Sequence, residues 1–177
     1  MTLLMQLQDK YRIALLSAYA LGLHSFESLL PTPIPWLRLG LANIITLITL
    51  LLYGICAASM VTLIRVTLAS LFTGTFLGPA FILSLGGGVT STLTMGFVLS
   101  LSPRLFSPLG LSLIGALFHN IAQLVLAYFL FIQRIEAILL ISPAIILIGT
   151  LTGAVNGIVS HILIDNLKNT EKKIQNG

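Results

Sequence analysis

Apolar runs long enough to cross a lipid bilayer follow one another along almost the whole of this 177-residue chain. A helix needs about 20 mainly apolar residues to cross roughly 30 Å of hydrocarbon. We predict six such spans, within a range of five to seven, at residues 12–30, 39–53, 57–77, 80–101, 108–132 and 139–164. The sequence therefore predicts an all-α polytopic membrane protein, with residues 1–177 forming a single transmembrane domain.

The scarcity of charge supports lipid as the solvent of this chain. Charged residues make up 8% of the sequence, whereas soluble domains carry about 25%. The nine basic residues form no patch and lie mostly at the ends of apolar runs, where positive charge sets membrane orientation. This distribution argues against a nucleic-acid partner.

Proline and glycine mark the predicted ends of the spans. Three prolines between residues 31 and 35 end the first span, because proline removes a backbone donor and restricts the residue before it. Gly78–Pro79 ends the third span, and only Gly54–Cys56 separates the second from the third. The glycine triplet at residues 86–88 is a place where the fourth helix could break.

The basic residues predict the orientation of a six-span protein. An even number of spans places both termini on one side, together with a short N-terminal segment (1–11) and a polar tail (165–177). That side would hold Lys10, Arg12, Arg104, Lys168, Lys172 and Lys173. The other side would hold only Arg38 and Arg134. Because positive charge accumulates on the cytoplasmic side, we expect both termini in the cytoplasm and the protein in the cytoplasmic membrane.

Arg65 is the charge that a membrane span accommodates least readily. It lies about 12 Å into the third predicted span, and a charge at that depth indicates a functional site by default. Glu27, near the end of the first span, is a candidate partner, since a paired charge costs less than an isolated one. Two interpretations stay open: Arg65 binds a ligand, or it extends to the interface and fixes helix packing.

Further polar side chains share helix faces in the predicted spans. His119 and Gln123 are four residues apart, and Asn120 adjoins them. Asn43 and Thr46 similarly share a face of the second span. Polar residues also join membrane helices to one another, so helix packing is the alternative. We predict a ligand site made of Asn43, Arg65, His119, Asn120 and Gln123, with Glu27 balancing Arg65.

A stripe of small residues on the first helix predicts a docking face. Ala14, Ala18 and Gly22 follow one another at four-residue intervals, a spacing that lets another helix approach closely. This face would serve packing within the protein or binding of a partner.

The chain lacks the residue clusters on which hydrolytic, metal-dependent or nucleotide-dependent catalysis depends. Cys56 is the only cysteine, and the two aspartates, Asp9 and Asp165, lie near the termini. Enzymes that handle diphosphates through Mg²⁺ use clustered carboxylates, and no such cluster can be assembled here. We therefore predict no catalytic residues, no metal site and no cofactor.

Four ordered segments carry a resemblance to a known membrane family. They cover most of residues 27–127 and read PWLRLGLANIITL (35–47), RVTLASLFTG (65–74), PAFILSLGG (79–87) and GALFHNIAQL (115–124). In these segments the chain resembles the family named heptaprenyl diphosphate synthase component I, also called the Gx transporter family.

That family in turn is similar to the substrate-binding S components of energy-coupling-factor transporters. The resemblance implies an S-component-like bundle of six helices, with a small-molecule pocket near the outer face under the loop at residues 31–38. It also implies docking to a transmembrane coupling subunit that works with ATPases, and the Ala14–Ala18 stripe would serve this contact. The ligand would be small and anionic, or related to isoprenoids or quinones. The family name implies the alternative of a non-catalytic membrane subunit beside a prenyl synthase.

Overall fold

The computed structural model describes residues 2–29, 41–102 and 106–175, and all of its regular elements are helical. The helices are α1 (Thr2–Leu29), α2 (Leu41–Phe72), α3 (Pro79–Leu101), α4 (Pro108–Ala127) and α5 (Ile135–Gln175). A short π-helix, Tyr128–Ile132, continues α4. The prediction of an all-α protein is confirmed.

Four helical segments of the described chain are long and apolar enough to cross a membrane, which confirms a helical membrane protein. They are Ala42–Phe72, Pro79–Leu101, Pro108–Ile132 and Ile135–Asn166. The last three coincide closely with the predicted fourth, fifth and sixth spans. Large apolar side chains cover their outer surfaces, as a lipid environment requires.

The structure does not support six separate spans. The predicted first span corresponds to α1, whose apolar part is only Ile13–Leu23 and is shorter than a bilayer is thick. The predicted second and third spans correspond largely to one helical element, α2, which contains a non-helical residue at Gly54. The part of α2 before Gly54 is roughly 20 Å long at 1.5 Å per residue, too short to cross the hydrocarbon alone.

The backbone of α2 reverses direction at Gly54. This residue has φ 83° and ψ −179° inside an otherwise helical element, a conformation available almost only to glycine. Asn43 hydrogen-bonds Arg65 across the reversal, although residues 22 apart in a straight helix would be about 33 Å apart. Thr46 and Thr62 are in contact as well. In both pairs the two residues are equally far from residue 54 in the sequence. The two parts of α2 therefore form an antiparallel helical hairpin.

The other helix boundaries follow local sequence rules. Proline occupies the first turn of α3 and of α4, where its missing N–H would have no helical partner. Ser107 caps α4 by accepting a hydrogen bond from the Gly110 amide. The glycine triplet does not break α3, since residues 86–88 are helical and packed against neighbours. The helix of the predicted polar tail extends to Gln175.

Three apolar clusters hold the bundle together. One joins α3, α4 and α5 through residues that include Leu83, Leu124 and Ile145. A second joins both parts of the α2 hairpin to α3 and α4, and the third joins the first part of α2 to α5. α1 packs mainly on α2. The hairpin therefore contacts the other four helices, and the side chains on its inner face are removed from lipid.

A row of glycines on α5 lets α4 approach closely. Gly149, Gly153 and Gly157 lie at four-residue intervals, and each faces α4. A Cβ at Gly153 would lie 2.6 Å from Ala116 Cβ, and the Ser112 hydroxyl donates to the Gly153 carbonyl over 2.7 Å. Close backbone approach with interhelical hydrogen bonds is the usual means by which membrane helices associate.

The reversal at Gly54 predicts how the single cysteine reacts. Cys56 is exposed at the hairpin turn, and Ile55 beside it packs on Gly96 near the end of α3. We expect a membrane-impermeant maleimide to label Cys56 in sealed vesicles from one side only. A straight α2 would place Cys56 within the hydrocarbon and leave it unlabelled.

A matched control moves the thiol to a lipid-facing position in the middle of α3. In the double variant Cys56→Ser, Leu93→Cys, the new thiol lies at an exposed apolar position and should label only after detergent is added. Equal labelling of the two proteins in intact vesicles would contradict the hairpin.

Candidate functional site

Arg65 lies in the interior of the bundle, and Asn43 binds it across the α2 hairpin. Only 4% of Arg65 is exposed. Its Nη2 donates a 2.7 Å hydrogen bond to Asn43 Oδ1, and hydrogen bonds from a charged donor are about twice as strong as neutral ones. The hairpin thus brings together two of the residues predicted for the ligand site.

Gly87 and Gly88 bring α4 into the same region. A Cβ at Gly88 would lie 3.6 Å from Arg65 Nη2 and 3.1 Å from Thr62 Cγ2. A Cβ at Gly87 would lie 2.9 Å from His119 Cε1 and 3.0 Å from Gln123 Cγ. Arg65 therefore contacts α3 at Gly88, and His119 and Gln123 contact α3 at the adjacent Gly87. Only the α3 backbone separates these two groups of side chains. We call Asn43, Arg65, His119 and Gln123 the polar cluster.

The imidazole of His119 has an incompletely used hydrogen-bonding capacity. Its Nδ1 is buried and, among the described residues, forms no hydrogen bond of good geometry, although the Gly87 backbone lies nearby. A buried polar atom without a hydrogen bond is uncommon in native proteins, so this nitrogen is a candidate contact for a bound molecule.

Three threonine hydroxyls extend the polar cluster between the helices. Thr92 Oγ1 donates to the Gly88 carbonyl over 2.9 Å, so the Thr62 hydroxyl, 3.0 Å away, donates to Thr92. Thr46 Oγ1 lies 3.4 Å from Thr62 Oγ1 on the other part of the hairpin. This short chain of hydroxyls joins both parts of α2 to α3 next to Arg65.

Asn120 faces a different neighbour from the rest of the predicted site. Its side chain lies directly on Gly149 of α5, while His119 and Gln123 face α3. Consecutive helical residues point about 100° apart, which separates Asn120 from His119. Asn120 is buried and lies in the contact between α4 and α5. The structure therefore brings four of the five predicted polar residues together and leaves Asn120 outside the polar cluster.

Two further predictions lie outside the described residues. Glu27 belongs to α1, but its side chain is not described, and the predicted covering loop at residues 31–38 falls in the gap between α1 and α2. The predicted docking residues are described. Ala14, Ala18 and Gly22 are exposed on α1, and among the described residues no atom of another element lies within 4 Å of a Cβ at Gly22.

Sequence reasoning missed Thr62 and the packing roles of Gly87, Gly88 and the α5 glycines. The four-residue spacing of Gly149, Gly153 and Gly157 was a usable signal for close helix contact. Nothing in the sequence around Thr62 indicates that its hydroxyl meets α3. The described part of the chain holds no group of three or more His, Cys, Asp or Glu side chains placed to bind a metal.

Comparison with known proteins identifies a family across most of the chain. A family model described as heptaprenyl diphosphate synthase component I matches residues 16–163. Neither a curated protein nor a solved structure matches the chain. The matched range contains the whole polar cluster and the five helices in part or in full.

The close contacts of Gly87 predict a large effect of one added methyl group. Gly87→Ala should lower stability by about 1–3 kcal/mol, because the methyl would displace His119 and Gln123. Gly22→Ala is the matched control, since its Cβ meets open space and helical alanine is preferred over glycine. Unfolding of the detergent-solubilised variants, followed by circular dichroism, measures the difference. Equal stability of both variants would contradict the described contact.

Proposed function

We propose that this chain, which belongs to the heptaprenyl diphosphate synthase component I family, captures a small anionic ligand from the membrane or its outer face. In this proposal the polar cluster binds the ligand, and the protein works as an S-component-like subunit of a transporter. The buried Arg65 carries the proposal.

The cost of burying Arg65 supports a functional role. Arg65 is 4% exposed in a protein whose solvent is lipid. Buried charged groups are seldom retained for stability alone, because apolar replacements of a buried ion pair are often as stable. Arginine presents several N–H donors in a planar fork that matches carboxylate and phosphate groups. Asn43 accepts from one nitrogen, which orients the guanidinium for an anion.

The neighbours of Arg65 suit the same ligand class. Gln123 has amide donors, and His119 has a buried ring nitrogen without a hydrogen bond among the described residues. They contact adjacent glycines of α3, His119 and Gln123 at Gly87 and Arg65 at Gly88. Donors that converge in a site of low dielectric bind an anion more strongly than they would in water. An isoprenoid- or quinone-related ligand fits the proposal when it carries an acidic or phosphorylated head group.

Arg65→Met separates a binding role from a packing role. Methionine fills similar space without charge but leaves Asn43 Oδ1 without its hydrogen bond, so we expect a somewhat lower melting temperature of a still folded protein, together with at least a tenfold loss of the small molecule that co-purifies with the wild-type protein. Native mass spectrometry of protein in lipid nanodiscs measures the loss, and His119→Ala should reduce it in part.

Thr150→Val is the matched control for this experiment. Thr150 is exposed on α5 and bonds only within its own helix in the described contacts, so ligand occupancy should match that of the wild type. Retention of the same molecule by Arg65→Met and His119→Ala, or its absence from the wild type, would refute the proposed ligand site.

The proposal includes an arrangement in the membrane and a partner. Both termini lie in the cytoplasm, the two parts of α2 count as two membrane-inserted segments, and α1 completes the bundle. Because the chain has no nucleotide-binding motif, ATP would be used by a partner. The exposed Ala14, Ala18 and Gly22 of α1 are the proposed contact for a transmembrane coupling subunit.

The family description favours a second candidate function. In that alternative the chain is a non-catalytic membrane subunit that anchors a soluble, carboxylate-rich prenyl diphosphate synthase. Co-expression with candidate partners, followed by affinity purification in mild detergent, distinguishes the two. Recovery of a coupling subunit with ATPases supports transport, whereas recovery of a synthase, together with altered prenyl products when this chain is deleted, supports the subunit role.

A further inference from the structure

The end of the bundle at which α4 passes into α5 departs from a regular α-helix at three places. Residues 128–132 form the π-helix, and Gln133, which follows it, has a left-handed φ of 49°. Pro143 then lies inside α5. Short π-helical segments beside α-helices occur frequently at functional sites. We call residues 128–142 the α4–α5 tip.

Pro143 leaves the carbonyl of Leu139 without its helical donor. Proline has no N–H, and its ring crowds the carbonyl four residues earlier. Leu139 and Pro143 are both exposed, and in lipid no water replaces the lost hydrogen bond. The Ser142 hydroxyl donates to this carbonyl over 3.2 Å. Because a side-chain contact replaces a backbone hydrogen bond here, Pro143 is the point at which α5 bends most readily.

The two sides of Pro143 are attached to the bundle differently. After it, Gly149 and Gly153 lie directly against α4, and the Gly153 carbonyl accepts a hydrogen bond from the Ser112 hydroxyl. Before it, Ile138 belongs to the apolar cluster that joins α5 to α3 and α4. Apolar contact alone holds membrane helices weakly, because lipid chains are as apolar as leucine. The α4–α5 tip is therefore the part of α5 that is displaced more easily.

Ile138 closes a layer next to the polar cluster. It is 7% exposed and packs in one apolar cluster with Leu83 and Ala127. On α3, Leu83 precedes Gly87 by one helical turn, and on α4, Ala127 follows Gln123 by one turn. This apolar layer therefore separates Gln123, which is itself buried, from the end of the bundle.

We propose that the α4–α5 tip is a lateral gate, which bends outward at Pro143, moves Ile138 away from α3 and opens a path between lipid and the polar cluster. Its outward surface is apolar, with Leu139 63% and Leu140 82% exposed, so it moves within lipid at little cost. A path that opens to lipid admits a ligand with an apolar part. The inference rests on the proposed function in this respect, and it narrows the anionic ligand to an amphiphile.

Cysteine labelling in lipid nanodiscs measures opening of the gate. In a Cys56→Ser background, Ala127→Cys places a thiol in the covered layer, and its rate of reaction with N-ethylmaleimide reports opening. Pro143→Ala supplies the missing N–H and should slow the reaction about fivefold, the effect of one hydrogen bond. Ser142→Ala should accelerate it by a similar factor. In Pro143→Ala the same serine change should have no effect, because the carbonyl then has its backbone donor.

Ala58→Cys is the matched control in the same background. Ala58 is fully buried in a different apolar cluster, between α2, α3 and α4, so Pro143→Ala should leave its labelling rate unchanged. A charged maleimide should react with Ala127→Cys at least about tenfold more slowly than N-ethylmaleimide, because a charged group enters lipid reluctantly.

The outcomes separate the gate from the proposed function. Equal rates for Ala127→Cys with and without Pro143→Ala, or no reaction at all, overturn the gate. Equal rates with the neutral and the charged maleimide overturn a path on the lipid side. None of these measurements needs a ligand, so a gate that opens in a protein from which no molecule co-purifies refutes the proposed function alone. Melting temperatures of each variant establish that the protein is folded.

Discussion

The reversal of the backbone at Gly54 is the feature on which the remaining arrangement depends. Its φ of 83° with ψ of −179° lies in a region that any Cβ makes costly, so glycine permits the turn. Without the reversal, Asn43 and Arg65 would lie on opposite ends of a rod longer than a bilayer is thick. With it, the two parts of α2 share hydroxyl and apolar contacts, and the guanidinium lies inside the protein.

Glycines on α3 and α5 then determine how closely the other helices approach the hairpin. Membrane helices gain little from apolar contact as such, because lipid chains are as apolar as leucine. Close packing and interhelical hydrogen bonds provide the association instead. Gly87 and Gly88 allow the two sides of the polar cluster to pack against α3 at adjacent positions, and the Gly153 carbonyl accepts a hydrogen bond from the Ser112 hydroxyl. The same small residues therefore serve both packing and the assembly of polar groups.

The sequence predicted the class of fold and all four members of the polar cluster, because a polar residue in an apolar span is conspicuous without tertiary information. Arg65, His119, Gln123 and Asn43 were all identifiable in this way. Which of them meet was not predictable, since the direction of each side chain depends on neighbouring helices. Asn120 shows the difference: it adjoins His119 in sequence yet lies on Gly149 of α5. The span count failed for a different reason, because the apolar part of α1, Ile13–Leu23, and the part of α2 before Gly54 are each shorter than a bilayer is thick.

The family name and the local chemistry are compatible when the name is taken to describe association rather than catalysis. A diphosphate chemistry that uses Mg²⁺ needs carboxylates that converge, and the described residues contain no such group. What the described bundle contains is a guanidinium whose Nη2 donates to Asn43, near the buried hydroxyls of Thr62 and Thr92. Donors and acceptors held at fixed separation in a site of low dielectric distinguish ligands by the cost of leaving a buried polar group without a partner. Under the proposed function, such a site selects a molecule by its polar groups and leaves the bond chemistry to another protein.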